Sequence, residues 1–387
     1  MTARRIAVVH DWLDTWGGGE NVLAEILRAY PEADLFALVD FLPAALRDRI
    51  GGRHARTTFL QVVPGARRRF RLMLPLFPRA IESLDLARYD LILSSSHAVA
   101  KGVRTHARQL HVCYCHTPMR YAWDLRAQYL GQRGLDTGLK GLAVNRLLDR
   151  LQAWDRASSA RVTHFIANSA FVQDRIARAY GRTATVIHPP VDTAYFTPLA
   201  PEVPLAARSY YFTASRWVPY KRLDLIVDAF RALPEMRLIV AGDGPDAKPV
   251  RAAAPPNVEF VGHVSRERMR DLLRRARAFM FAALEDFGIL PVEAQACGTP
   301  VVAFGEGGAR ETVVDGVTGL FFATQSAPAI ADAVRRHEAV LPGIRPSACR
   351  AHAEAFSTPR FAAAYTGFVE DMQATFAPEG GTQANRG

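Results

Sequence analysis

Residues 278–302 leave little freedom in how this chain can fold. Ala278 to Ala282 is a short apolar run with the length of a buried strand. It leads into Leu284-Glu-Asp-Phe-Gly-Ile-Leu-Pro-Val-Glu293, which continues as Ala-Gln-Ala-Cys-Gly-Thr-Pro-Val-Val302. Pro291 is placed to open a helix and Gly298 to close it. Glu285 then falls at the carboxyl end of the strand, where open α/β sheets keep their ligands. Gly288 lets the backbone approach a ligand closely, and Glu293 is expected in the helix's first turn. Two carboxylates eight residues apart thus flank a helix N-terminus, and such a terminus binds phosphate. Each carboxylate can take hydroxyls on one side of that phosphate. Sugar, diphosphate and ribose, in that order, would fit.

The same alternation recurs along the chain. Strands are expected at Arg5 to His10, Asp34 to Val39, Tyr89 to Ser96, Leu110 to Cys115 and Thr163 to Ser169, and from Ala184 up to the prolines that precede Val191-Asp192. A Pro-Pro break at 189–190 and a Pro/Ala-rich stretch at 197–204 separate these from strands at Ser209 to Ala214, Arg237 to Gly244 and Val258 to Val264. With 387 residues and about 150 per domain, two α/β domains are expected. Residues 1–195 form the first and 205–357 the second. A helix is expected at 358–376, and a disordered tail follows at 377–387. Helix Arg222 to Leu233 has Leu223, Ile226, Val227 and Phe230 on one face. Arg216 and Lys221 therefore lie in the strand-to-helix loop before it, as two cations able to hold a diphosphate. A glycine-rich turn, with Gly18 and Gly19, follows the first strand. It is either a tight turn or a loop whose amides meet a phosphate or an acceptor, and it is not a Gly-x-Gly-x-x-Gly fingerprint.

Net charge is +10, and all but four of the basic residues are arginine. Nine arginines stand against one acid, Asp48, between residues 47 and 79, next to Phe70-Arg-Leu-Met-Leu-Pro-Leu-Phe77. That mix suits docking on an anionic lipid surface or a solvated basic face beside a core helix. No nucleic-acid module is evident, so no nucleic-acid partner is expected. Four cysteines are too few for a disulfide scaffold. Cys113 and Cys115, with His111 and His116, match no common zinc spacing, and buried reduced thiols are expected. No signal-peptide pattern opens the chain, and no apolar run approaches the ~20 residues of a membrane helix. A cytoplasmic protein is expected, peripheral on the cytosolic face of the inner membrane.

Glu-x7-Glu after a strand, Gly-Thr-Pro-Val-Val, Glu306-x-Gly-Gly and Gly316-Val-Thr-Gly-Leu-Phe-Phe322, in that order, resemble glycosyltransferase family 4. Ser94-Ser-Ser-His-Ala-Val-Ala-Lys-Gly and Tyr114-Cys-His-Thr-Pro-Met-Arg-Tyr-Ala-Trp-Asp124 resemble its bacterial O-antigen and exopolysaccharide mannosyltransferases. The resemblance implies a GT-B fold, two doubly wound Rossmann-like domains facing across a cleft with the 358–376 helix packing back on the first, and transfer with retention. It implies a nucleotide-sugar donor, GDP-mannose within this branch, and a lipid-linked saccharide acceptor. His116 would touch the transferred sugar, Arg216 and Lys221 the diphosphate, Glu285 the sugar hydroxyls and Glu293 the ribose. Gly18, Gly19, Asp243, Gly244, His263, Phe287, Gly288, Ile289 and Leu290 would line the donor. Arg120, Tyr121 and Asp124 are candidates for the acceptor, and Trp123 lies among them. The family's common loop has glycine before its arginine and after its lysine; Ser215 and Arg222 stand there instead, which leaves the loop's shape open. No Asp-x-Asp occurs in the chain, so no metal or other cofactor is expected. A UDP-sugar transferase, a sugar-nucleotide epimerase, a phosphorylase and a non-catalytic membrane scaffold are the other readings of the same fold.

Overall fold

In the computed structural model, residues 4–123, 126, 138–244 and 247–377 are described. The chain divides into two compact units. One comprises Met1–Pro189 with Phe361–Gly387, and the other Pro190–Arg360. Each is built on one all-parallel sheet. The first has β1 (Ile6–His10), β2 (Asp34–Ala37), β3 (Arg56–Thr57), β4 (Leu91–Ser96), β5 (Leu110–Cys115), β6 (His164–Ala167) and β7 (Ala184–Val186), in the order β3-β2-β1-β4-β5-β6-β7. The second has β8 (Tyr210–Ala214), β9 (Arg237–Ala241), β10 (Val258–Gly262), β11 (Ala276–Phe281), β12 (Val301–Phe304) and β13 (Gly319–Phe322), in the order β10-β9-β8-β11-β12-β13. Both are doubly wound, with the order reversing between β1 and β4 and between β8 and β11. Continuous apolar strands such as Ile-Ala-Val-Val suit sheets covered on both faces. Helix Thr358–Thr375 closes the first unit, where Phe361 and Tyr365 pack on Tyr114 with ring centroids 5.8 and 6.3 Å away.

Register places the strand ends. His10 lies opposite Ser95, and Ser96 opposite Cys115. The four cysteines are buried and free. His111 bonds Ser94 Oγ and the Arg161 carbonyl at 2.8 and 3.1 Å, so it is a core residue. The glutamate motif's helix runs Ile289–Ala296, two residues earlier than the proline suggested. Pro291 is its third residue, tolerated because a first-turn N–H has no intrahelical partner to lose. Glu293 is fifth and lies past the first turn, a correction to the sequence expectation.

Arg222 resolves the loop question. It adopts φ 51° and ψ 36°, the left-handed conformation a glycine would take, and its guanidinium reaches Asp224 at 3.1 Å. The loop keeps its turn at a cost of roughly 1–2 kcal/mol in backbone strain. Arg222→Gly is therefore expected to be neutral or to stabilise by about 0.5–1 kcal/mol in urea unfolding, because the exposed ion pair it loses is worth little. Destabilisation by more than that margin would show that the side chain carries the turn.

The arginine-rich segment divides in two. Arg47 is tied to Asp40 at 2.7 Å and to the Leu42 and Arg53 carbonyls, and Arg53 donates to the Ala33 carbonyl. These are structural. Arg67, Arg68 and Arg69 are exposed, in the same stretch as Phe59, Val62, Leu72 and Leu76. Val62 is 81% exposed and Leu72 72%, unusual values for such side chains. No helix among the described residues is long and apolar enough to cross a membrane.

Candidate active site

In the second unit, the reversal of strand order lies between β8 and β11, where a doubly wound sheet holds its ligand. The loop after β8 carries Arg216 and Lys221, and the loop after β11 carries Glu285. The structure brings Lys221 and Glu285 together: Lys221 Nζ sits on Glu285 Oε1, both side chains about four-fifths buried. Arg216 is exposed in the same loop as Lys221. Gly288, at φ 88°, precedes helix Ile289–Ala296, whose first amides have no intrahelical acceptor.

Two glycine motifs hold these loops. A Cβ on Gly308 would fall 2.3 Å from Phe287 Cα, and Gly308 N donates to Glu285 O at 2.9 Å. The Glu-x-Gly-Gly motif thus carries the backbone of 285–287. A Cβ on Gly244 would fall 2.4 Å from Trp217 O, and Trp217 N donates to Asp243 O at 3.0 Å. Asp243 and His263 are exposed at the carboxyl ends of β9 and β10. The Phe287 ring is buried against Phe356, centroids 5.4 Å apart. Ile289 and Leu290 also lean on the core.

Glu293 is partly buried, and burial pushes its carboxyl up to about 8; Arg266 opposes this and Asp192 adds to it. At neutral pH it therefore keeps its proton.

In the first unit, β1, β4 and β5 end in a polar cluster of which sequence reasoning found only His116. His116 N donates to Ser96 O at 2.8 Å and its carbonyl accepts from Asn168 Nδ2 at 3.0 Å. Its Nε2 lies 2.8 Å from Ser95 Oγ, and His10 Nδ1 lies 3.2 Å from the same oxygen. Burial pushes the His116 imidazole down to about 3, with the charge of His97 adding to the effect. Asp11, fully buried, accepts from the backbone N–H groups of His97, Ala98, Val99 and Ala100 at 2.5–3.0 Å. Burial alone would raise its pKa; His97 Nδ1, 2.9 Å away, holds it well below the carboxylate range. Burial likewise opposes a charged His97, but the Asp11 charge and hydrogen bond carry its pKa above the ordinary histidine value. Glu20 accepts from Gly17 N at 2.8 Å, capping its own helix Gly18–Ala29. Gly18 and Gly19 open helix Gly18–Ala29 instead of lying in the turn expected from sequence, and a Cβ on Gly19 would rest 3.7 Å from His116 Nε2, so this first helical turn packs against the imidazole. Polar residues at the carboxyl ends of adjacent strands were the signal available in the sequence, had all of β1, β4 and β5 been read together.

Of the acceptor candidates, Arg120 is partly exposed, and Tyr121 packs partly buried against the core. Trp123 donates to Asp155 at 2.8 Å and is structural. Asp155 also takes Lys101 and the Tyr180 hydroxyl. Asp124 and the tail at 378–387 lie outside the described residues. No group of three or more His, Cys, Asp or Glu suited to a metal occurs among the described residues.

Residues 205–339 match the family described as Glycosyl transferases group 1, and residues 16–195 that described as Glycosyltransferase Family 4. The D-inositol 3-phosphate glycosyltransferase of Mycobacterium sp. (strain JLS) is 39% identical over 157 residues, 35% of this chain and 34% of that protein. A GDP-mannose-dependent alpha-(1-6)-phosphatidylinositol monomannoside mannosyltransferase of Mycolicibacterium smegmatis is 33% identical over 208 residues, 46% of this chain and 53% of that protein. The chain thus spans about a third to a half of the length of these relatives. Among solved structures, sucrose-phosphate synthase from Thermosynechococcus elongatus superposes with TM-score 0.70 at 18% identity, covering 96% of this chain and 100% of that one. Anabaena HepE in complex with UDP and glucose gives 0.67 at 20%, covering 95% and 100%. At these identities the likeness speaks to the fold, which is GT-B.

Proposed function

We propose, for a chain that belongs to glycosyltransferase family 4, that it moves a hexose from a nucleotide sugar to a lipid-linked saccharide in polysaccharide synthesis. The donor is GDP-mannose, a reading supported by relatives named for that donor. The observation that carries the reaction class is the Lys221–Glu285 pair at the strand-order reversal, beside the start of helix Ile289–Ala296. A cation and helix amides suit a diphosphate, and a carboxylate suits sugar hydroxyls.

In this reading Lys221, Arg216 and the first amides of the helix stabilise charge on the departing diphosphate, usually the largest catalytic contribution. The acceptor oxygen bonds to the anomeric carbon as the bond from that carbon to the phosphate oxygen breaks. The acceptor's proton passes to a leaving phosphate oxygen on the same face, so configuration is retained and no protein base is needed. Glu285 holds sugar hydroxyls and Glu293 the ribose. Main-chain groups at Asp243, Gly244 and His263 meet the base, and metal is not required. Arg120 and Tyr121 belong to the acceptor side.

Calorimetry with GDP-mannose and UDP-glucose, each with and without chelator, tests this. Tight GDP-mannose binding that chelator leaves unchanged is expected. Preference for UDP-glucose would overturn the mannose assignment, and donor turnover without an acceptor to an isomerised sugar nucleotide would favour an epimerase.

The exposed Phe59, Val62, Leu72 and Leu76, in one stretch with Arg67, Arg68 and Arg69, suit an anionic membrane surface, where the acceptor lipid resides. The chain is expected to float with anionic vesicles at low salt and to be released by Leu72→Glu with Leu76→Glu. Absence of flotation at low salt would sink peripheral docking on the inner membrane's cytosolic face.

A further inference from the structure

We infer that Glu20, His10 and Ser95 are positioning residues: a polar column that fixes His116 in the tautomer with its proton on Nε2 and leaves Nδ1 as an acceptor for a sugar hydroxyl. The ligand class rests on the glycosyl-transfer reading; the column itself does not.

Each tautomer follows from the one before it. His10 is fully buried, and its Nε2 has no hydrogen-bond partner. Glu20 Oε1 lies 3.6 Å from it, an ion-pair distance. Burial would raise the Glu20 pKa, but the His10 N–H that faces it and the charge of His97 hold it below the ordinary value, so the carboxylate is ionised. A lone pair on His10 Nε2 would face that charge; an N–H is attracted to it. A neutral His10 therefore carries its proton on Nε2, and its Nδ1 is left as an acceptor.

Ser95 Oγ, at 3.2 Å from that Nδ1, must donate to it. A hydroxyl has one proton, so its oxygen can only accept from the other neighbour. That neighbour is His116 Nε2 at 2.8 Å, which must carry the N–H. His116 is neutral, held so by burial, so its Nδ1 is a lone pair. No hydrogen bond to His116 Nδ1 occurs among the described residues, and the residue keeps some solvent access. Its main chain is clamped at both N and O by Ser96 and Asn168, so the free lone pair has a set direction. The Asp11–His97 pair lies beside this column, with the His97 ring centroid 6.4 Å from that of His116.

A fixed acceptor selects a ligand that offers an O–H. A sugar lacking that hydroxyl would leave the buried polar group unmatched, a penalty far larger than that for a missing methylene.

Long-range proton–nitrogen correlation spectra of the full chain labelled with nitrogen-15 histidine read these tautomers directly, with His10→Gln and His116→Gln assigning the signals. His10 and His116 are both expected as Nε2–H forms. In Ser95→Ala, His116 becomes a mixture of tautomers, and in Ser95→Thr, which keeps the hydroxyl, the original form returns. Kinetically, Ser95→Ala is expected to lower kcat about tenfold while donor KM moves less than twofold, with Thr restoring it. His116 carrying its proton on Nδ1 in the unaltered chain would overturn the inference, as would a His116 tautomer indifferent to Ser95→Ala. If the alanine variant does not fold, the spectrum of the unaltered chain still decides. The spectra need no donor, so a chain with these tautomers but no transferase activity would refute the proposed reaction and leave the column standing.

Discussion

Lys221→Ala is expected to lower kcat by about 10²–10³-fold, the usual loss when one group aimed at developing transition-state charge is removed. Lys221 is the lysine at the strand-order reversal, and its ammonium already rests on the Glu285 carboxylate. That contact holds a flexible four-carbon side chain near one orientation before any donor arrives. Glu285→Gln tests the same pair from the other side. It keeps a hydrogen-bonding group for sugar hydroxyls but takes the counter-charge from Lys221. Loss of turnover in the alanine variant with a small loss in the glutamine variant is the expected pattern if Lys221 carries the electrostatic role and Glu285 a hydrogen-bonding one. Near-normal kcat in Lys221→Ala would remove the lysine from catalysis. Lys221→Arg is not expected to rescue fully, because a planar fork does not reproduce a compact ammonium.

Glu293→Gln is expected to stabilise the free protein while weakening donor binding. The sign follows from the raised pKa. Between the ordinary value of 4.5 and about 8, the folded chain keeps the Glu293 proton and the unfolded chain has released it. Folding then takes up a proton, so stability is greatest below pH 4.5, falls as pH rises, and levels off above about 8. Glutamine has no such dependence. Its advantage should be absent near pH 4.5 and reach about 1–3 kcal/mol at pH 8, allowing for the solvent that still reaches the carboxyl. Urea unfolding at the two pH values measures it; an equal difference at both would refute the buried-acid account. In the proposed site the carboxylate takes two ribose hydroxyls, so donor binding should release a proton. Calorimetry in buffers of different ionisation enthalpy reads that release. Glutamine should weaken donor affinity by roughly 10-fold, since a carboxylate accepts a charge-assisted pair that an amide cannot. Undiminished donor affinity would place the ribose elsewhere.

Much of the architecture could be read from local order. Apolar runs such as Ile6–Val9 and Phe279–Phe281, each followed by a turn and a helix, announce parallel strands, because such strands are buried on both faces and need crossovers. Lys221 and Glu285 were also visible as loop residues, since each lies between the carboxyl end of a strand and the helix that follows it. The start of helix Ile289–Ala296 was misplaced by two residues, because proline is as acceptable within a first turn as at its opening. Arg222 hid its left-handed conformation, because its identity argues against the backbone it adopts.

His10 and Ser95 are 85 residues apart, and nothing near either one in the chain marks it as the other's partner. They meet because β1 and β4 pair in one register; a slip by one residue would turn one of these side chains to the opposite face of the sheet. Charge state is decided in the same way. Glu20, Glu293 and Asp11 are alike as ionisable carboxylic acids in sequence, yet burial raises Glu293 while histidines hold the other two down. Propensity and pattern act over a few neighbouring residues, and so the strands, helices and loop positions followed from sequence. Desolvation and hydrogen-bond pairing act across space, and so the imidazole column and the protonation of Glu293 came into being only once the sheets had assembled.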